Sequence, residues 1–426
     1  MRELTEFEER LAAGAGAPAG GDALDALRAA ARARLAEGLP NRRVEAWKYT
    51  DLRSLLREGY APAPAVSGIT VTDAFAAAGG AGVSIVNGAP QSPDTGKRPE
   101  GVRILSFSDA LAKEPDLCRE FFATPQPEGA IFDMNAALAG DGLVIMVADG
   151  VTLDAPIRLA FGAAEADGGA FHGRILVKLG AGARARILES HTGPDDSRYL
   201  ANLASNIVLG EGASLERILL QGEGNAGAHL AGDVIDIGPG GRYYAYLLST
   251  GAAVSRREIH LRFAGAGAQA HLAGASLLRG RQHGDVTLLI DHAHADCIST
   301  ERFRSVLDES ARGVFQGKVL VRREGQGTDA QMRAQALLLA EGAEADAKPE
   351  LEIYADEVAC AHGATAGALD ADALFYMRAR GLDEKTARAL LIEAFVRETA
   401  SGIDDDSIRA VIEARVAEWL GAEVMA

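Results

Sequence analysis

The hexapeptide LGAGAR at residues 179–184 separates two short apolar runs, and variants of it recur through the middle of the chain. The variants are LGEGAS at Leu209, IGPGGR at Ile237 and FAGAGAQ at Phe263, followed by the weaker LDESAR at Leu307 and LAEGAE at Leu339. Their successive spacings are 30, 28 and 26 residues and then 44 and 32. A turn signal that repeats every roughly 25 to 45 residues between short strands is typical of a solenoid, in which each coil buries its apolar face on the next.

The segments between these turns have the character of strands. Apolar runs occur at Leu143–Val147, Ile175–Leu179, Ile207–Leu209, Ile218–Leu220, Val234–Ile237 and Val286–Ile290. Residues 258–263 alternate polar and apolar side chains, as a strand with one buried face does. We therefore predict a mainly β protein built as a β-solenoid or β-helix. The alternative is a sandwich or barrel, but turns in those folds usually recur every ~8–12 residues.

Helical periodicity appears at both ends of the chain. Near the C-terminus, Asp370, Asp383 and Asp405 each precede a helical pattern and are suited to cap it. The predicted organisation is an N-terminal helical region over residues 1–65 and a C-terminal helical subdomain over residues 366–426. Between them, residues 66–365 form the β-helix core with an irregular initial segment.

Composition limits the classes of function. The chain has 43 Lys and Arg residues against 60 Asp and Glu residues, a formal charge of −17, whereas nucleic-acid binding needs a basic surface. No apolar run reaches the roughly 18 residues of a membrane span, and the N-terminal MRELTEFEER is unlike a signal peptide. Three widely spaced cysteines form neither a disulfide framework nor a CxxC motif. We expect a cytoplasmic protein that binds neither membranes nor nucleic acid.

The densest set of potential metal ligands is DHAHADC at residues 291–297. On a strand, His292, His294 and Asp296 would share one face, and imidazole with carboxylate suits zinc or iron. One hypothesis is therefore a β-helix metal-dependent hydrolase that uses these three residues. The other is a solvated polar face that holds no metal.

Cys360 and His362 form a second candidate. If they lie on a strand, its period of two places the thiol and the imidazole on one face, where both could contact a soft metal. The alternative is a small buried residue followed by a histidine in a turn.

Other polar residues are interpreted as structural or solvated. The scattered histidines, His172, His191, His229, His260, His271 and His283, are assigned to surfaces or strand faces. The basic doublet Arg256-Arg257 is assigned to a solvated face.

Two stretches of sequence resemble the signature of the SufB/SufD family of iron–sulfur cluster assembly proteins. They are KPELEIYADEVACAHGAT at residues 348–365 and LFYMRARG at residues 374–381. RRVEAWKYT at residues 42–50 is similar to the family's N-terminal R-x-E-x-W-[KR]-[YF]-T box, and FQGK at residues 315–318 adds support. Gly363 follows the histidine where SufB typically has an acidic residue, which indicates the SufD branch of the family.

The resemblance implies a right-handed parallel β-helix between helical regions, and a non-catalytic scaffold function. It implies a heterodimer with SufB through the end of the β-helix and docking of the SufC ATPase on the C-terminal helical region. By the same resemblance, His362 faces a SufB cysteine where a nascent cluster forms, and it contacts iron or cluster only transiently. Cys360 occupies the neighbouring position, whereas Cys118 and Cys297 are poor candidates for cluster ligands.

The expected ATPase-docking surface consists of Phe375, Tyr376, Arg378, Arg380 and Gly381. The alternative is that the two aromatic side chains simply pack the helical subdomain. No stably bound cofactor is expected in this chain alone, only a transient cluster at the partner interface, and flavin in the complex is left open. An uncapped β-helix edge also favours a homodimer when the chain is isolated.

Overall fold

Helices and strands occupy different parts of the chain in the computed structural model, which describes residues 3–14, 22–91, 99–122 and 126–421. In these ranges the helices are α1 (Glu6–Ala13), α2 (Asp22–Leu35), α3 (Leu52–Leu55), α4 (Phe107–Lys113), α5 (Pro115–Phe122), α6 (Ala130–Leu138), α7 (Ala371–Ala379), α8 (Glu384–Arg397) and α9 (Asp406–Leu420). Within the same ranges, no helix has both the length and the apolar content that crossing a bilayer demands.

The strands follow one another closely through the middle of the chain. They are β1 (Ala61–Pro62), β2 (Ala81–Val86), β3 (Ala89–Pro90), β4 (Val102–Ser106), β5 (Asp141–Val147), β6 (Ile157–Gly162), β7 (Gly169–Leu179), β8 (Arg184–Thr192), β9 (Leu200–Leu209), β10 (Ser214–Gly222), β11 (Ala228–Ile237), β12 (Arg242–Ser249), β13 (Val254–Phe263), β14 (Gln269–Leu278), β15 (His283–His292), β16 (Ile298–Leu307), β17 (Arg312–Val321), β18 (Asp329–Leu338), β19 (Glu344–Ile353) and β20 (Ala359–Gly367).

From β5 onward the strands alternate between two parallel sheets. The odd-numbered strands β5 to β19 pair in sheet A, and the even-numbered strands β6 to β20 pair in sheet B. Each coil thus contributes one strand to each sheet, giving eight coils within the continuously described residues 126–421. Registers stay in step, so that Ile237 pairs with Leu209 below it and Phe263 above it. This confirms the predicted mainly β parallel solenoid flanked by helical regions.

The glycine-rich hexapeptides are the turns that lead from sheet A to sheet B. They join β7 to β8, β9 to β10, β11 to β12 and β13 to β14. At the same place in each turn, Gly182, Gly212, Gly240 and Gly267 have φ between 61° and 69°, a conformation that side-chain-bearing residues rarely adopt. The weaker LDESAR and LAEGAE lie at the opposite edge, before β17 and β19, which explains why the spacing jumps to 44 residues.

Ion pairs join the two sheets inside the solenoid, which is otherwise filled mainly by aliphatic side chains. Arg217 on sheet B donates from Nη1 to Asp233 Oδ1 on sheet A (2.9 Å) and from Nε to Glu189 Oε1 (2.6 Å). Arg257 donates to the other oxygen of Asp233 (2.7 Å). All four side chains are buried. Charges can persist in such an interior only when they are paired.

The interpretation of Arg256-Arg257 as a solvated doublet is wrong. Neighbours on a strand point to opposite faces, and here both faces are covered. Arg257 points into the solenoid, whereas Arg256 points outward beneath the N-terminal region, where its Cζ lies 3.9 Å from the ring centroid of Trp47. Arg256 also donates to the Ala46 carbonyl (3.0 Å) and pairs with Glu258. The N-terminal RRVEAWKYT box is thereby anchored to sheet A.

The C-terminal helices cover the outer face of sheet B. Ile392 and Val396 of α8 and Ile412 and Val416 of α9 pack on outward-facing side chains such as Tyr246. Asp370, Asp383 and Asp405 accept hydrogen bonds from backbone N–H groups in the first turns of α7, α8 and α9, as predicted. Helix α7 differs from the other two because none of its residues is buried.

We predict that replacing Arg217 with Met strongly destabilises the fold. The change leaves Glu189 buried without its guanidinium partner, and breaking a buried pair in this way costs about 3–5 kcal/mol. The control is Lys178→Met, which removes an ion pair whose two partners, Lys178 and Glu120, are both exposed and should cost at most about 1 kcal/mol. Free energies of unfolding in guanidinium chloride, followed by circular dichroism, provide the comparison. Equal losses in the two variants would contradict the prediction.

Candidate functional site

The last coil of the solenoid is open to solvent. Nothing in residues 126–421 stacks on β19 and β20 as a further coil, so their inward-facing side chains are uncovered. Ile353 of β19 is 40% exposed, whereas Val321, its partner one coil below, is completely buried. The two sheets therefore end together in a pair of free strand edges above an apolar interior. Free edges of this kind are templates for pairing with another chain.

Cys360 and His362 lie on this open coil. Both are on β20, where Cys360 pairs with Ala330 and His362 pairs with Met332, two buried residues that line the interior. Cys360 is half-buried against the core and His362 is exposed. The two side chains thus belong to one strand face, as the alternation predicts, and the alternative placement of His362 in a turn is wrong.

The thiol of Cys360 is held in its protonated form. Burial raises the pKa of Cys360, and the negative charge of Asp329 adds to the rise, against the effect of a backbone hydrogen bond from Ala330. A thiolate at this position therefore needs a positive partner such as a metal ion. Cys118 and Cys297 are fully buried, away from the open coil, and burial raises the pKa of Cys118 to about 11.

A buried carboxyl group lies below this pair. Glu301 is on the same inward column as His362, separated from it by Met332. Glu301 is completely buried, and neither of its carboxylate oxygens has a hydrogen-bond partner within the described chain. Burial raises the pKa of Glu301 to about 8. At neutral pH this side chain is therefore mainly protonated, because the charged form would be unsolvated.

The interior of the solenoid opens beside these residues. A cavity of about 210 Å³ lies between the free edges of β19 and β20, with Phe303 and Phe315 among its lining residues. Their ring centroids are 5.4 Å apart. Ala347 and Ala364 also line the cavity. The mouth is therefore largely apolar, a surface suited to burial against a partner.

The prediction that His292, His294 and Asp296 share a strand face is wrong. Strand β15 ends at His292, and the other two residues lie in the turn to β16, where Asp296 has a φ of 57°. His292 is completely buried and has Ser299 Oγ 3.1 Å from its Nε2, whereas His294 and Asp296 are exposed. No ligand set with atoms within 4.8 Å forms from these described residues. The three residues therefore do not form the metal site on which the hydrolase hypothesis depends.

The predicted docking residues lie together at the end of α7. Phe375 is 74% exposed and Tyr376 is 58% exposed, so the alternative that they pack the helical subdomain is wrong. Arg380 stacks its guanidinium on the Tyr376 ring, 4.7 Å from the centroid, and Arg378 pairs with Glu384 (3.2 Å). Gly381 ends the helix with a φ of 94°. The result is an exposed aromatic and basic surface, which favours protein binding.

Sequence reasoning missed a polar cluster in the interior. His191 and His229, interpreted as surface or strand-face residues, are buried inside the solenoid together with Glu223. Counting in steps of two back from the turns would have assigned His191 to the inward row of β8, with Ile187 and Glu189. The local sequence does not reveal that His191 lies close to residues of other coils, because that proximity depends on how the coils stack.

The comparisons with known proteins agree with the fold and with the motifs. Residues 161–395 match the family model "SUF system FeS cluster assembly, SufBD core domain", and residues 18–159 match "SufBD protein N-terminal region". The chain belongs to the SufBD family. The match to the SufBD core domain includes Cys360, His362 and all of α7. This confirms the family that the motifs indicated.

Relatives in the SufBD family extend over most of the chain. It is 30% identical over 367 residues to an "Iron-sulfur cluster assembly SufBD family protein" of Synechocystis sp., covering 82% of this chain and 81% of the relative. It is 26% identical over 359 residues to "Iron-sulfur cluster assembly protein SufD" of Escherichia coli, covering 83% of each chain. "Protein ABCI7, chloroplastic" of Arabidopsis thaliana is 28% identical over 299 residues, 68% of this chain and 63% of the relative. A role in iron–sulfur cluster assembly follows from this membership.

Glu301 should make the protein less stable as the pH rises. Between its ordinary pKa of 4.5 and its folded-state pKa of about 8, the folded state holds a proton that the unfolded state has lost. The free energy of unfolding should then fall by up to about 1.4 kcal/mol per pH unit. We expect Glu301→Gln to remove this fall, measured as the difference between variant and wild type in unfolding experiments across that range. Parallel stability curves for the two proteins would refute the assignment.

Proposed function

We propose that this protein is a SufD-type, non-catalytic scaffold subunit that assembles iron–sulfur clusters together with a SufB subunit and a SufC ATPase. The observation that carries the proposal is the open last coil, which presents Cys360 and His362 on an uncovered inward row. A cytoplasmic location suits the three free cysteines.

The free edges of β19 and β20 explain how a partner would bind. A second β-solenoid could continue both sheets by main-chain hydrogen bonds, and it would cover the exposed inward side chains at the same time. A SufB subunit is the proposed partner. A second copy of this chain is the alternative partner when the chain is isolated, because the same edges are then free.

The side chains on this face suit a cluster that must be passed on. The cluster is the cargo of the complex and is not a resident cofactor of this chain. His362 offers an exposed imidazole, whereas the thiol of Cys360 is half-buried and held protonated. A ligand set with few thiolates from this subunit holds iron less firmly than four thiolates would.

Helix α7 is the proposed docking site of the ATPase. Its exposed Phe375 and Tyr376 are the kind of anchors that dominate protein interfaces, and Arg380 extends the surface with a positive charge. Its sequence neighbours α8 and α9 are packed on sheet B. Movement of a docked ATPase could therefore be transmitted to the solenoid through these helices, provided that the contacts differ between the two states.

Replacing His362 with Ala should lower cluster formation without dissociating the complex. His362 is exposed on the open coil, so its loss removes a ligand and little packing. The variant is co-expressed with SufB and SufC partners, and iron and sulfide are measured anaerobically after size-exclusion chromatography. His294→Ala, at another exposed histidine, is the matched control. Unchanged iron and sulfide loading in an intact His362→Ala complex would contradict the proposed role of His362.

Replacing Phe375 and Tyr376 together with Ala should strongly weaken ATPase docking. Each exposed anchor is worth about 1–2 kcal/mol, so the loss of both should weaken binding by roughly 30-fold to 1,000-fold. Leu390 of α8, which is 41% exposed, provides the control variant Leu390→Ala, which should bind normally. Affinity is measured by isothermal titration calorimetry with the purified ATPase subunit. The docking assignment fails if both variants bind as tightly as the wild type.

A further inference from the structure

Three potential ligands meet inside the solenoid, away from the open coil. They are His191 of β8, His229 of β11, and Glu223 in the turn between β10 and β11, and one ligand atom of each lies within 4.8 Å of the other two. Nδ1 of His229 lies 2.6 Å from Glu223 Oε1, and the centroids of the two imidazole rings are 5.1 Å apart. At most 5% of any of these side chains is exposed.

His191 carries the strongest indication of a missing ligand. Neither of its ring nitrogens has a hydrogen-bond partner anywhere in the described ranges, and Nε2 lies 3.6 Å from Glu189 Oε2, beyond hydrogen-bonding distance. The ring stacks on Phe161 with a centroid distance of 4.4 Å. Because no described group engages either nitrogen, the imidazole has a lone pair available for a ligand. A buried polar group without a partner is costly, and an ion or a water is the usual explanation.

The surrounding charges favour a cation. Among the described residues around this cluster, three carboxylates, Glu189, Glu223 and Asp233, face two guanidinium groups, Arg217 and Arg257. Both guanidinium groups pair with Asp233, and Arg217 also pairs with Glu189. Glu223 instead has His229 and the side-chain amide of Gln221 as its hydrogen-bond partners. One carboxylate is thus left to be balanced by a proton or a metal ion.

We propose that His191, Glu223 and His229 form a binding site for one divalent transition-metal ion inside the solenoid. Two imidazoles and one carboxylate are a ligand set that zinc and iron(II) both accept. Binding replaces the hydrogen bond between Glu223 and His229 by bonds from each to the ion, and the His229 proton of that hydrogen bond moves to the other ring nitrogen, which keeps the imidazole neutral. The ion links three successive coils and stabilises them. The site is independent of the cluster-assembly role proposed for the open coil.

Zinc is the probe for the first experiment. The full chain, carrying no histidine tag, is produced in zinc-supplemented medium, exchanged into buffer with EDTA, and unfolded in guanidinium chloride with a chromogenic zinc indicator. A buried site exchanges slowly, so about one zinc per chain should survive EDTA and appear only on unfolding. Wild-type protein that releases less than about a tenth of an equivalent of zinc overturns the proposal, and the cluster is then a proton-holding network.

Variants locate the ion. His191→Leu should lower the zinc content at least about tenfold. It should still fold, because it removes a side chain that has no hydrogen bond in the described structure, and circular dichroism checks this. Glu223→Gln provides a second test. The controls are His292→Leu, at a buried histidine outside the set, and the double variant Cys360→Ser with His362→Ala. Both should keep the zinc, and zinc lost from the double variant but retained in His191→Leu would refute the site.

Discussion

The structure depends on the in-register stacking of parallel coils. Each inward side chain needs a neighbour in the coil above and in the coil below, because the interior is closed to water. The requirement is met from β5 to β18, where columns such as Leu209, Ile237 and Phe263 are completely buried or nearly so. It fails at β19 and β20. The last coil is therefore open because no further coil stacks on it, and no special sequence motif is needed to keep it open.

The same constraint decides what polar groups can do in the interior. Arg217 satisfies it by pairing with carboxylates on both sheets. Glu301 satisfies it by remaining protonated, as its raised pKa of about 8 shows. His191 is also kept neutral by burial, which lowers its pKa, but the described chain offers its ring nitrogens no hydrogen bond. Glu301 and His191 thus both stay neutral and unpartnered in the described chain, and only His191 lies within reach of other potential metal ligands there.

Much of the fold could be predicted from local sequence because the turns are local. Gly212 and its equivalents are required by a backbone conformation, so they recur wherever the coil turns from sheet A to sheet B. The helix caps at Asp370 and Asp383 are local in the same way. The motifs around residues 348–381 also led to the family and to the face that Cys360 and His362 share.

Features that depend on stacking or on where a strand ends were not predicted. DHAHADC has the alternation of a strand, but β15 ends at His292 and the turn separates the three side chains. Arg256 and Arg257 were assigned to solvent because sequence does not reveal that the N-terminal box covers the outer face of sheet A. The cluster of His191 with His229 joins residues 38 positions apart. Only the coil spacing brings such residues together.

We expect the partner subunit to bind the open last coil. Hydrogen–deuterium exchange of the chain, alone and with a SufB subunit, locates the bound face. Amides of residues 344–367 should become protected in the complex, while those of the first coil, residues 141–162, should exchange as before. Unchanged exchange over residues 344–367 in a formed complex would mean that the partner binds elsewhere.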